Sequence, residues 1–220
     1  MLGEDIDTSK ADENLVQCIL KEVHSLRQKQ SLLVIAFCGE SGSGKTVISK
    51  AIEKALNSSG VVTYLLQMDD YFRLPPQNTS ELRQKSLEHV GPSEVDLTLL
   101  DQHIELIKLG NRDFELREMH FKDNQLCMIE NDIPKDLEVL IVEGTYVCLL
   151  KQVHKTFFLE RTYVDTHIHR TARLREPQTE LIEQVLEKEH QIVKMFSEKS
   201  DYIITKDFKL KAHQNKNLHH

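Results

Sequence analysis

The chain has no apolar run approaching the roughly 20 residues needed to span a bilayer, so no membrane-crossing helix is expected. Nor does it carry an excess of positive charge. Its 28 Lys and Arg stand against 35 Asp and Glu, a formal net charge of −7. That balance offers no broad electrostatic footprint for nucleic acid. Cysteine is sparse, and the four present (Cys18, Cys38, Cys127 and Cys148) show no C-x-x-C spacing. Three of them lie in apolar stretches, which predicts buried free thiols in a reducing cytoplasm rather than disulfides or zinc ligands. The opening residues, MLGEDIDTSKADEN, are acidic and lack the apolar core of a secretory signal. Internal repeats and low-complexity segments are absent too.

What remains is an ordinary globular balance: 220 residues, 40% hydrophobic and 29% charged. That is enough for one domain over residues 1–220 with a substantial core. The pattern is an α/β alternation of strands and helices, which predicts a layered fold around a mostly parallel sheet.

One stretch dominates the reading. Residues 39–46, GESGSGKT, fit G-x-x-x-x-G-K-[ST], the phosphate-binding P-loop. Before it, residues 31–38 (SLLVIAFC) form a short apolar run of the kind that makes a buried parallel strand. After it, Val47, Ile48, Ala51, Ile52, Ala55 and Leu56 recur at helical spacing. Strand, glycine-rich turn and helix are the context the motif requires. The glycines let the backbone curl so that N–H groups point at phosphate oxygens, and the helix adds the positive end of its dipole. The expected nucleotide-binding set is Gly39, Ser41, Gly42, Ser43, Gly44, Lys45, Thr46 and Val47. Lys45 reaches the β- and γ-phosphates, and the Thr46 hydroxyl binds Mg²⁺. ATP and Mg²⁺ are therefore the expected cofactors, and the phosphate acceptor is left open.

Along the chain, residues 12–29 read as an amphipathic helix with Leu15, Ile19, Val23 and Leu26 on one face. Residues 61–67 (VVTYLLQ) read as a second strand running into Asp69 and Asp70. Residues 73–95, with Pro75, Pro76, Gly91 and Pro92, read as a long loop with a helical turn near 81–88. Asp96 caps a helix through Leu109, and Gly110 ends it. Residues 112–130 read as an irregular hairpin. Residues 139–142 (VLIV) form a buried strand ending in Glu143-Gly144, followed by a short helix over 146–152. Further expectations are a strand over 156–159, a basic helix over 164–174, a long helix over 180–197 and a last strand over 202–205. In such folds ligands sit at the carboxyl ends of the strands. That rule gathers residues 39–46, Asp69-Asp70 and Glu143 at one place.

In this order the elements resemble the uridine kinase and phosphoribulokinase-like family of P-loop small-molecule kinases. The resemblance rests on the P-loop, DDYF after the next strand, a strand ending in EG, and the arginine-rich stretch HRTARLREP. It runs from Leu32 to Asp207. It implies a three-layer P-loop NTPase fold with a small lid over residues 170–180 and a substrate-side hairpin. It implies Asp69 as catalytic base, Glu143 near the metal, and Arg170, Arg173 and Arg175 as lid arginines. Consecutive residues leaving a strand point to opposite sides, so only one of Asp69 and Asp70 faces the γ-phosphate.

The substrate side departs from the uridine kinase pattern. Residues 88–96 resemble its aspartate-histidine-proline stretch in shape only. Where those enzymes carry tyrosine-aspartate-phenylalanine, this chain has Arg112-Asp113-Phe114. Asp69, Asp70, Tyr71, His89, Arg117 and His120 are the expected acceptor contacts. Glu115, Arg117, Glu118 and His120 make a more charged wall than a pyrimidine requires. A nucleoside acceptor leads, with a sugar-, pantothenate- or nicotinamide riboside-like alcohol as the alternative. A nucleotide-controlled binding switch is the reading from another class. Yet the guanine-reading N-K-x-D and metal-binding D-x-x-G of a GTPase are both missing. A small-molecule partner is expected, without nucleic acid or membrane, and self-association is left open.

Overall fold

Apolar runs without polar alternation make strands that are buried on both faces, and the two strongest runs of this chain lie side by side in a sheet. The computed structural model describes residues 7–167 and 179–213. In chain order it contains α1 (Glu13–Arg27), β1 (Leu33–Gly39), α2 (Lys45–Ser58), β2 (Thr63–Gln67), α3 (Pro76–Lys85) and α4 (Leu97–Lys108). There follow β3 (Glu115–His120), β4 (Gln125–Glu130), β5 (Val139–Gly144), β6 (Lys155–Leu159), α5 (Glu180–Val193), β7 (Tyr202–Ile204) and β8 (Leu210–Ala212). Six strands form one sheet in the order β2-β5-β1-β6-β7-β8, and β3 with β4 forms a separate hairpin. All pairs in the large sheet are parallel except β7 with β8.

The alternation of side chains along β1 builds the layers. Val34, Ala36 and Cys38 enter one apolar cluster, together with Leu100, Ile104 and Ile107 of α4 and Leu116 of the hairpin. Leu33, Ile35 and Phe37 enter the other, with Leu15 and Ile19 of α1 and Ile48 and Ile52 of α2. Helices thus cover both faces, the three-layer arrangement that a buried parallel sheet needs. Aspartates set two of the helix starts. Asp12 accepts the Leu15 N–H at 2.8 Å, and Asp96 accepts the Leu99 N–H at 3.2 Å. Among the described residues no helix is long and apolar enough to cross a membrane.

Several local expectations need correction. The stretch read as a loop with a turn over 81–88 contains a full helix, α3. Proline stands at its first turn, where the missing N–H costs nothing. Thr79 is its one buried residue, so there was no apolar stripe to reveal it. The short helix expected over 146–152 shrinks to a 3-10 turn, Val147–Leu149. The Asp101 carboxylate takes the N–H groups of Lys151 and Gln152 at 2.9 and 3.1 Å and so holds that segment against α4. The long helix stops at Val193 and continues as a 3-10 turn, Lys194–Lys199. A last strand, β8, returns antiparallel to β7 after a tight turn with Phe208 at φ 59°. Finally, Cys38 and Cys148 are joined as a disulfide with Cα atoms 6.0 Å apart, against the expectation of free thiols. The pairing of β1 with β5 sets Cys38 opposite Gly144, which carries the turn after β5 up to it. Cys18 and Cys127 are free, and Cys18 is exposed.

Candidate active site

The P-loop follows β1 without a break. Gly42 and Gly44 lie at φ 79° and 105°, left-handed values that side chains with a Cβ disfavour. Gly44 is also the N-cap of α2, and the first helical bond runs from Ile48 N–H to its carbonyl at 3.1 Å. The helix therefore leaves the N–H groups of Lys45, Thr46 and Val47 without intrahelical partners, as at any helix start. Ser43 Oγ is buried and has no hydrogen-bond partner among the described residues. Orphan donors at a helix N-terminus, beside a buried free hydroxyl, are what an anionic phosphate would satisfy. Lys45 is buried, and its Nζ donates to the Glu40 carbonyl at 2.9 Å.

The adjacent strand ends converge on this loop. Thr46 Oγ1 donates to Glu143 Oε1 at 2.9 Å, and Gln67 Nε2 donates to the same oxygen at 3.0 Å. A hydroxyl and a carboxylate meeting at the loop form an oxygen donor set suited to a hard cation such as Mg²⁺, which uses one or two protein oxygens together with phosphates and water. The turn after β5 fits with little to spare. A Cβ on Gly144 would lie 2.3 Å from Met68 Cβ. Gly144→Ala should overpack this contact and cost about 1–3 kcal/mol of stability, read as a lowered urea midpoint with unchanged slope. An unshifted midpoint would mean that Met68 yields freely.

Asp69 and Asp70 do not alternate as strand residues. β2 ends at Gln67, and the chain continues as a 3-10 turn, Met68–Tyr71. Their surroundings nevertheless differ. Burial first, and then the Glu143 charge, push the Asp69 carboxyl up to about 6, with Lys45 opposing. Asp70 instead accepts the Met119 N–H of β3 at 3.0 Å. Burial also raises Asp70, against that hydrogen bond. One acid therefore looks toward the P-loop and the other toward the hairpin.

The remaining expected contacts are placed variously. Tyr71 is fully buried, and its hydroxyl meets His103 Nδ1 at 2.9 Å. Arg117 donates to the Phe72 carbonyl at 2.6 Å and lies 3.8 Å from the Asp96 carboxylate. His120 Nε2 meets Glu118 Oε2 at 2.9 Å on the hairpin, and His89 is exposed. Ser41 turns away from the phosphate cradle: its N–H and hydroxyl donate to the two oxygens of Glu189 at 2.7 and 3.0 Å. Arg170, Arg173 and Arg175 lie outside the described residues.

Sequence reasoning missed Gln67, Glu40, Glu189 and His190. Glu40 occupies an unrestricted position of the motif, yet it is buried. One of its oxygens meets His190 Nδ1 at 2.6 Å, and the other accepts the Tyr163 N–H at 2.7 Å. A signal for Glu189 was present. It falls on the stripe Val185–Glu189–Val193 of α5, three buried residues spaced four apart.

A family model described as Phosphoribulokinase / Uridine kinase family matches residues 34–172. Among curated proteins, the bifunctional alpha-galactosidase/sucrose kinase AgaSK of Mediterraneibacter gnavus is 26% identical over 81% of this chain and 20% of its own length. A uridine kinase of Halalkalibacterium halodurans is 30% identical over 61% of each chain. The chain thus spans about a fifth of the first relative and about three fifths of the second. Among solved structures, a D-glycerate 3-kinase of Cryptococcus neoformans superposes with a TM-score of 0.62 over 90% of this chain and 99% of that one. At 14% identity this likeness is one of fold.

Proposed function

The chain belongs to the phosphoribulokinase / uridine kinase family, and from that premise we propose that it transfers the γ-phosphoryl group of ATP to a hydroxyl of a small molecule. The observation that carries this reading is the convergence of three strand ends. Lys45 and Thr46 follow β1, Asp69 follows β2, and Glu143 closes β5, with Thr46 and Glu143 bonded at 2.9 Å. In this reading the N–H groups from Gly42 to Val47 cradle the phosphates. Lys45 exchanges its hold on the Glu40 carbonyl for charge that develops on the transferring group. Thr46 and Glu143 would hold Mg²⁺, which would neutralise phosphate charge when bound. Asp69, half-buried beside Glu143 and Lys45, orients the acceptor hydroxyl and takes its proton.

For the acceptor we propose a nucleoside first. Support comes from the uridine kinase relative, which this chain covers only in part. A sugar is the second reading. It is favoured by the sucrose kinase relative, which matches 81% of the chain, and by the charged hairpin wall of Arg117, Glu118 and His120. The deciding experiment supplies MgATP with uridine, cytidine, sucrose, fructose and D-glycerate in turn and measures acceptor-dependent ADP release. Turnover with a pyrimidine nucleoside above the rest supports the first reading, and turnover with a sugar supports the second. Nucleotide binding without transfer to any acceptor would overturn the kinase reading in favour of a switch.

A further inference from the structure

A carboxylate on the buried stripe of a helix needs a reason. Glu189 is 5% exposed, and its neighbours along the stripe, Val185 and Val193, are apolar. A leucine there would pack without the cost of desolvating a charge. Instead both carboxylate oxygens are occupied by the backbone N–H and the hydroxyl of one P-loop residue, Ser41. The next helical residue, His190, meets Glu40, the P-loop residue just before Ser41, at 2.6 Å. Two consecutive residues of α5 therefore grip two consecutive residues of the P-loop. The same helix also reaches the segment between α3 and α4. A Cβ added to Gly91, between α3 and α4, would lie 3.3 Å from Ile192 Cδ1.

The Ser41 N–H is thereby withdrawn from the phosphate cradle, so Glu189 does not compete with the nucleotide for the loop. It acts on the loop's shape. A glycine-rich turn has many conformations to lose, and fixing each residue costs conformational entropy. A loop already fixed spares the ligand that cost. Lys45 and Arg83 supply positive charge that opposes the burial of this carboxylate, which nonetheless raises its pKa.

We propose that Glu189 is a positioning residue for the nucleotide, holding the P-loop in its phosphate-receiving shape before ATP arrives. The proposal rests on the nucleotide site of the kinase reading but not on the acceptor. The loss on removing Glu189 is therefore expected in nucleotide affinity, because the energy that would order the loop must then come from binding. The test is equilibrium binding of a fluorescent nonhydrolysable ATP analogue with Mg²⁺ to the full chain. Glu189→Ala should raise Kd about tenfold, while kcat at saturating nucleotide falls less than threefold. Glu189→Gln should stay within about twofold of wild type. Its amide oxygen still accepts the Ser41 N–H, and its NH₂ donates to Ser41 Oγ. Ser41→Ala should weaken binding about threefold alone and add nothing in the Glu189→Ala background.

A merely structural glutamate would lower Tm in Glu189→Ala and leave Kd unchanged, and that result overturns the proposal. So does a Gln variant that binds as poorly as Ala, or full additivity with Ser41→Ala. If Glu189→Ala does not fold, Ser41→Ala decides at its half-buried position, and an unchanged Kd there is fatal. A wild-type chain that binds the analogue but phosphorylates nothing sinks the kinase reading alone. One that binds no nucleotide sinks both.

Discussion

Lys45→Ala is expected to lower turnover by about 10²–10³-fold, the usual size of losing one preorganised charge or donor at a developing charge. The basis is local. Lys45 is buried beside acids, and its positive charge opposes the burial of both Asp69 and Glu189. Without it those carboxyls would take up protons more readily, and the transferring phosphoryl group would lose its cation. The fold should survive. The hydrogen bond that disappears in the resting protein, from the Lys45 ammonium to the Glu40 carbonyl at 2.9 Å, contributes about 1.5–3 kcal/mol. The check is steady-state turnover with the best acceptor from the panel, beside a thermal melt of the same preparation. A variant with near-wild-type kcat and an intact melt would remove Lys45, and with it the P-loop, from the chemistry.

The second large effect is expected at Asp69. Asp69→Asn keeps shape and hydrogen-bonding reach but removes the proton acceptor. The loss should fall on kcat, by about 10²–10⁴-fold, with little change in nucleotide affinity. Asp70→Asn should cost much less in kcat. Its Oδ1 holds the Met119 N–H of the hairpin, and an amide oxygen can accept that same bond. Its effect should appear in the KM of the acceptor, through the hairpin. The distinction does not rest on strand alternation, because both acids lie on one 3-10 turn. It rests on what each side chain faces: Lys45 and Glu143 for one, β3 for the other. A large kcat loss at Asp70 with a mild one at Asp69 would exchange their roles.

How much of this was readable beforehand depended on where each partner lay in the chain. The sheet was readable because β1 and β5 are unbroken apolar runs, and such runs have few uses other than a doubly covered strand. The P-loop was readable because its eight residues and flanking elements are contiguous. Asp69 and Glu143 followed from a rule about strand ends, which needs topology but no side-chain detail. α3 was not readable, since a helix that buries little more than Thr79 carries no periodic signal. The grip of α5 was hidden for a different reason. Ser41 and Glu189 are 148 positions apart, and α5 is rich in glutamate, so one more acid on it reads as solvated surface. The clue was its place in the stripe, which shows only if a charged residue is allowed to count as buried. The Cys38–Cys148 pairing was hidden in the same way, by the fold-back that sets Cys38 opposite Gly144.

The antiparallel strand at the end of the sheet has a consequence of another kind. Any open sheet has an outermost strand whose unpaired N–H and C=O groups can template a strand from a neighbouring chain. Among the described residues the two outermost strands are β2 and β8, and β8 is only three residues long, with Lys211 exposed at its centre and Lys209 just before it. It runs opposite to the five parallel strands, so an incoming segment would meet a short edge and two ammonium groups. At this border the sheet ends on a short strand flanked by ammonium groups, a combination that disfavours edge-to-edge pairing on this side.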